Sequence, residues 1–364
     1  MIAELQINLS EEQELVRDGA RRLAKEDYPA LAPGEAWGMM AELGWLGCAL
    51  PEAQGGYEGG TRMLALVAQE FGRGLVAEPL VPVASLSLQL LANLGTPEAA
   101  RLANEIAAGE LKLFTAADQL PPLLHEAGVE AVSTPQGWRL DGQSLAIPFG
   151  DRAHAFIVPA RHAGELLLLL VRPDLPGLEI DAYPTFDGRT AVNLGFDKAA
   201  VAAEALLGSG APAEAAMVRA IDHALVMASA EMLGAIETAF DVTRDYLRTR
   251  RQFGQPIGEF QVLRHRLVDM FIEVEQARSM VLLGVSAIDA SDARTRSAIA
   301  SAVKSRVGRA AKYVAGQAVQ LHGGIGMTEE HLPGPIFQRA TAYDLWLGTA
   351  SRHQARYAGL RKAP

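Results

Sequence analysis

The spacing of apolar positions changes twice along this 364-residue chain and divides it into three segments. Up to about residue 112 the spacing is helical. Ser10 followed by Glu11-Glu12-Gln13 makes a capping-box start, and Leu15-Val16, Ala20 and Leu23 then give one apolar face. The stretch Pro51-Glu52-Ala53-Gln54-Gly55-Gly56-Tyr57-Glu58-Gly59-Gly60 interrupts as a loop, after which helix runs from Thr61 to Leu111 with turns at Glu78-Pro79 and Gly95-Thr96-Pro97. Residues 113–207 switch to short strand-like runs: Trp138-Arg139-Leu140, Ala155-Phe156-Ile157-Val158 and Leu166 to Val171. Thr134-Pro135-Gln136-Gly137 and Asp141-Gly142 read as turns among them; Asp187-Gly188 and the Val192, Leu194, Phe196 alternation close the segment. Residues 208–364 return to helix. Pro212 to Arg250 contains no further Pro and only Gly234 internally, room for a helix of roughly 55 Å. Phe260 to Ala287 and Ser297 to His322 are further long helices, and such helices pack antiparallel as a bundle. The pattern predicts an α+β protein in the order helical, β, helical.

Bulk chemistry narrows the partners. With 43 acidic against 33 basic side chains the net charge is −10, which argues against nucleic acid as the main partner but leaves room for an anionic small ligand at a local Arg cluster. The lone cysteine, Cys48, lies in the apolar run Trp45-Leu46-Gly47-Cys48-Ala49-Leu50 and reads as core packing. The N-terminal residues lack the basic and apolar regions of a signal peptide, and no apolar run approaches the length of a membrane span, so a cytoplasmic protein without a membrane partner is expected. His322 and His331, nine positions apart with no Cys or acidic ligand pattern, do not predict a metal site.

Two strings carry candidate chemistry. Arg250-Arg251-Gln252-Phe253-Gly254-Gln255-Pro256-Ile257-Gly258, followed by Phe260-Gln261, sits at the end of the longest helix. Helix termination accounts for its Arg and Gly, but not for Phe253 or the second Gly. Gln320-Leu321-His322-Gly323-Gly324-Ile325-Gly326-Met327-Thr328-Glu329-Glu330-His331 follows a helix rich in small residues. Paired glycines there mark either a turn or a close backbone approach to a ligand; the dinucleotide fingerprint fails, since no strand precedes the string.

Together, 70 positions apart, these strings resemble the C-terminal signature of the acyl-CoA dehydrogenases. Glu42-Leu43-Gly44-Trp45-Leu46-Gly47 with Pro51 to Gly56, and Asp187-Gly188-Arg189 with Phe196-Asp197, extend the resemblance over nearly the whole chain. It implies a helical domain over residues 1–112, a β-barrel or sandwich domain over 113–207 and a four-helix bundle over 208–364. It further implies FAD as cofactor, an acyl-CoA substrate undergoing α,β-dehydrogenation, and a separate electron-transfer acceptor. By resemblance, Arg250 and Phe253 contact FAD bound mainly by a neighbouring subunit, with Gln252 beside the same pyrophosphate. Gln320, Gly323 and Gly324 hold its adenosine side, Thr349 contacts FAD in the chain's own site, and Asp222 matches a position near the substrate thioester. A guanidinium fork suits the two phosphates.

The chain departs from the family where proton abstraction is done. The catalytic Glu before the C-terminal Gly-Thr pair is replaced by Leu347, in Leu345-Trp346-Leu347-Gly348-Thr349, and the alternative position on the long helix holds Ala224, next to Leu225. The flavin loop expected after Leu113-Phe114-Thr115 reads Ala116-Ala117-Asp118-Gln119-Leu120-Pro121-Pro122, and the segment lying on the flavin ring reads Ala146-Ile147-Pro148-Phe149-Gly150. This asymmetry resembles the base-lacking chain of a heteromeric bacterial enzyme, paired with a second dehydrogenase-like subunit acting on bulky acyl chains such as sterol side chains. Two alternatives stand beside it. One is a self-sufficient homo-oligomer with Asp344 or Glu231 as base, against which Asp344 pairs with Arg339 and Glu231 is solvated. The other is a non-catalytic subunit that stabilises a partner.

Overall fold

The computed structural model describes residues 9–32, 34–57, 60–117, 128–289 and 292–362. Five helices open the chain: α1 (Glu11–Arg22), α2 (Glu35–Glu42), α3 (Gly60–Arg73), α4 (Leu88–Leu94) and α5 (Pro97–Ala107). The capping box at α1 forms in both directions, Gln13 N–H to Ser10 Oγ at 3.2 Å and Ser10 N–H to Gln13 Oε1 at 3.3 Å. Before α4, Leu80–Ser87 winds as a wider helix, which the sequence reading had not separated. Cys48 is buried and its thiol is pushed up to about 12 by that burial, as a packing residue should be.

The middle segment is one eight-stranded sheet of β1 (Leu113–Thr115), β2 (Val129–Thr134), β3 (Gly137–Pro148), β4 (Ala155–His162), β5 (Glu165–Val171), β6 (Leu178–Pro184), β7 (Thr190–Ala202) and β8 (Leu206–Ser209). Its order is β6-β7-β3-β2-β4-β5-β8, with β1 beside β4. The apolar run Leu166 to Val171 is mostly buried in β5, consistent with a strand covered on both faces. Asp141-Gly142 is not the turn its composition suggests. It lies inside β3 at a register shift against β7, with Gly142 at φ +115° and only 2.1 Å between its would-be Cβ and the Gly128 carbonyl oxygen. The signal was for a bulge, which needs the same glycine as a turn.

The third segment begins with α6 (Gly210–Thr249), 40 residues or roughly 60 Å. A small hairpin of β9 (Arg251–Gln252) and β10 (Gln255–Pro256) follows, then α7 (Gln261–Ala287), α8 (Ala293–His322), α9 (Pro333–Leu345) and α10 (Ala350–Lys362). Gly234, the glycine in the interior of α6, marks where α3 crosses it: a Cβ there would stand 1.8 Å from Gln69 O, and one at Gly72 would stand 1.7 Å from Glu231 O. Backbones in contact over the centre of α6 seat the first helical domain directly on the bundle. Among the described residues no helix is long and apolar enough to cross a membrane.

Candidate functional site

A cavity of about 690 Å³ opens where the sheet meets the bundle. The sheet contributes Leu145, Ala146 and Pro148 of β3 and the β6–β7 turn; α6 contributes Ala228, Glu231, Met232 and Ala235, which share one helical face. The link between α9 and α10 closes it with Trp346, Leu347 and Gly348.

That link is held from behind by buried polar groups. The Lys304 ammonium, fully buried and pulled down to about 7 by burial, donates to the Tyr343 carbonyl at the end of α9. His353 Nε2 donates to Leu347 O at 2.8 Å, and burial pulls this imidazole down to about 3, keeping it the neutral donor. Ser229 Oγ donates to Leu225 O at 2.6 Å, which leaves the Tyr343 hydroxyl to donate to Ser229 Oγ at 2.7 Å. The backbone so fixed carries Leu347 at φ +53° and Gly348 at φ +98°. A leucine in the left-handed region costs about 1 kcal/mol, and the surrounding bonds over-determine it.

The floor is ionic. Arg339 contacts Glu231 Oε1 and Asp187 Oδ2, each at 3.3 Å, and Arg189 reaches the same two oxygens at 3.6 Å and 2.6 Å. Burial, then the neighbouring Arg189, lowers the Arg339 guanidinium to about 10. Burial also opposes ionisation of Asp187, but Arg189 and Arg339 outweigh it and hold that carboxyl below its ordinary value. The expected Asp344–Arg339 pair is thus corrected: Arg339 turns to Glu231 and Asp187, and Asp344 Oδ1 instead accepts the Ala350 N–H at 2.8 Å at the start of α10. Glu231, expected in solvent, is paired on the cavity wall.

The two base positions part company. Leu347 lines the cavity, whereas Ala224 is fully buried in the core of α6 and does not. Asp222 is corrected from substrate contact to structural anchor: it is fully buried, accepts from Ser297 Oγ at 2.5 Å and pairs with Arg356 at 3.0 Å and Arg296 at 3.4 Å. Burial drives its carboxyl up against the pull of those arginines.

The second set of predicted residues gathers elsewhere, at one end of the bundle. Tyr246, near the end of α6, stacks on His322, at the end of α8, with ring centroids 4.4 Å apart, and His331 meets His322 edge-on at 4.8 Å. This stack brings the Arg250 hairpin and the Gly323-Gly324 turn to the same end. Arg250, Gln252, Phe253, Gln320, Gly323 and Gly324 are all exposed, Phe253 to 88%. Among the described residues the Arg250 guanidinium has no partner. Gly323 needs its φ of +66°, but Gly324 has neither a positive φ nor any atom within 4 Å of a would-be Cβ. Nothing among the described residues explains why residue 324 lacks a side chain.

Matches to known proteins settle the family. The chain matches the acyl-CoA dehydrogenase N-terminal domain over residues 10–110 and the acyl-CoA dehydrogenase C-terminal domain over residues 213–358. It belongs to the acyl-CoA dehydrogenase family. The probable acyl-CoA dehydrogenase YngJ of Bacillus subtilis is 28% identical, covering 95% of this chain and 97% of that protein. Among solved structures, the ChsE4-ChsE5 complex from Mycobacterium tuberculosis superposes with TM-score 0.86 at 25% identity, covering 98% of this chain and 99% of that one. The Tcur3481-Tcur3483 steroid acyl-CoA dehydrogenase variant gives 0.84 at 29%, covering 96% and 98%. The chain is therefore an oxidoreductase of the family acting on CH–CH groups of acyl-CoA, and the family's cofactor is FAD.

The two regions fit that cofactor differently. At the bundle end an unpaired guanidinium, exposed amides and Cβ-free backbone suit a pyrophosphate and its nucleoside. On the cavity's strand wall the backbone donors are spent inside the sheet: Ala146 N–H on Asn193 Oδ1 at 3.0 Å, Phe149 N–H on Thr190 O at 2.9 Å, and Pro148 has none. Thr349 Oγ1 accepts from Arg352 N–H at 3.3 Å and caps α10. Residues 118–122 of the expected flavin loop lie outside the described residues. The sequence reading missed Arg189, Arg339 and Arg352 as cavity residues; for Arg339 the signal was its placement one turn from both Ile336 and Tyr343, on the buried face of α9.

Proposed function

We propose that this chain is the base-lacking subunit of a heteromeric acyl-CoA dehydrogenase, completing an FAD site whose ring pocket and base belong to a second, homologous subunit. The observation that carries this reading is Gly324, together with the unpaired Arg250. Both lie exposed, and among the described residues neither meets a partner or a close neighbour. Arg250 and Gln252 would bind the cofactor's pyrophosphate, Phe253 would cover it, and Gln320 with the Gly323-Gly324 backbone would hold its adenosine. FAD supplies the hydride acceptor when bound, and these residues orient it without touching the reacting carbons.

The chain's own cavity supports the same division. An aliphatic side chain at 347 cannot accept an α proton, and the other base position faces the core. Of the two candidate carboxylates, Asp344 is occupied as a helix cap and Glu231 Oε1 is engaged by two guanidinium groups, as is Asp187, the other carboxylate lining the cavity. Two neighbours of this fold, the ChsE4-ChsE5 complex and the Tcur3481-Tcur3483 steroid enzyme, are assemblies of two differently named chains, and the partner and bulky acyl class proposed here follow their example.

The test is turnover. The purified chain alone is expected to show no acyl-CoA-dependent dye reduction with straight-chain or steroidal thioesters, and to gain it when co-expressed with a base-bearing dehydrogenase chain. Turnover by the isolated chain, lost in Glu231→Gln, would instead establish the self-sufficient enzyme.

A further inference from the structure

The cavity under Leu347 measures about 690 Å³, and both carboxylates in its lining, Asp187 and Glu231, are held in ion pairs. Its charges are mostly self-compensated: Asp187, Arg189, Glu231 and Arg339 pair among themselves on the floor. The walls are apolar, with Val81, Pro148, Phe186, Met232, Trp346 and Leu347 among the lining residues. One charge is left over. Arg352, on α10, also lines the cavity; it is exposed, and among the described residues its guanidinium has no acceptor. A cavity of about 690 Å³ is within the ordinary range for a small-molecule site, and among the described residues its unpaired charge reduces to one cation, Arg352.

We infer that this cavity is a binding site for an apolar carboxylate, held with its hydrocarbon body against the walls and its carboxylate on Arg352, and released chemically unchanged. The inference rests on the heteromeric reading, in which the flavin is carried in the partner's pocket and this one is free of it. A guanidinium offers a carboxylate two parallel N–H donors, a geometry that neither a neutral alcohol nor a hydrocarbon uses. The self-paired floor favours a body without charges of its own, because a second charge would have to break ion pairs to be satisfied. Nothing in the walls distinguishes an alkyl chain from a fused-ring skeleton, so fatty and steroidal acids share the required chemistry.

Equilibrium dialysis on the purified full-length chain tests this, with palmitate and lithocholate as the two carboxylates and 1-hexadecanol as the neutral control, and with FAD counted in the same samples. The expected result is one carboxylate per FAD-free chain, affinity for it reduced roughly tenfold in Arg352→Ala, and hexadecanol binding unaffected by that substitution. Preference for palmitate or lithocholate identifies the natural class. Glu231→Gln, which releases one acceptor from Arg189 and Arg339, should tighten carboxylate binding. No saturable carboxylate binding by FAD-free chain, or equal binding by wild type and Arg352→Ala, overturns the inference while leaving the heteromeric reading intact. One FAD per isolated chain overturns that reading itself.

Discussion

The bundle end and the cavity under Leu347 are built to opposite principles. At the cavity nearly every polar group is answered from within: Arg339 and Arg189 by Asp187 and Glu231, Leu347 O by His353, the Ala350 N–H by Asp344. At the bundle end the guanidinium of Arg250, the amides of Gln252 and Gln320 and the ring of Phe253 are left outside, on a face the chain cannot use alone. Water satisfies such exposed groups, so having no partner among the described residues leaves them available to a ligand, and the Cβ-free backbone beside them at Gly323-Gly324 allows that ligand a close approach. The first region answers most of its charges from its own sequence; the second, on the function proposed above, is half of a site.

Each region can be broken separately. The largest effect is expected from charging the two base positions. Ala224→Glu places a carboxylate in the α6 core with no partner and should cost about 3 kcal/mol or more in denaturant unfolding. Leu347→Glu faces the cavity and should cost well under half of that. Equal penalties would mean that only one region of α6 and its surroundings has been placed correctly, and that Leu347 does not face open space.

Next comes Arg250→Ala. Losing a charge-assisted contact to pyrophosphate should weaken FAD retention in the assembled enzyme by about 1.5–3 kcal/mol, with the thermal stability of the isolated chain unchanged because Arg250 has no partner among the described residues. The same loss of flavin from Leu347→Ala, with none from Arg250→Ala, would reverse the roles of the two regions.

The effect that is smallest near neutral pH, and grows only on acidification, comes from titration. His353 is held near 3 in the fold, below its ordinary value of about 6.5, so the unfolded chain takes up this proton first as pH falls. Stability from this group is full above the unfolded value and is lost progressively between about 6.5 and 3, at up to about 1.4 kcal/mol per pH unit. His223, lowered to about 4 by burial, acts in the same direction. His353→Gln should flatten the acid limb of the stability profile by about one proton, and an unchanged slope would remove the imidazole from beneath Leu347.

What could be read beforehand followed from local rules. The capping box at Ser10, the long run after Pro212 and the apolar run at Leu166 each specify an element by themselves, and each is present. The two bundle-end strings stood out because each is a short contiguous run at a helix end, of α6 or of α8, and the resemblance joined them across 70 positions. The cavity was not, because its charges come from the β6–β7 turn, α6 and α9, and no local rule pairs Arg339 with Asp187 across 152 positions. The same blindness put Asp222 beside a substrate, when Arg296 and Arg356, from two other helices, enclose it.

The most direct measurement is a count of flavin in the native assembly, with its position. Co-expression with a base-bearing homologue should give about one FAD per pair of chains, seated in the partner's pocket with Arg250 and the Gly323-Gly324 turn of this chain against its pyrophosphate and adenosine. FAD lying on Ala146 to Gly150 of this chain, beneath Leu347, would contradict the account.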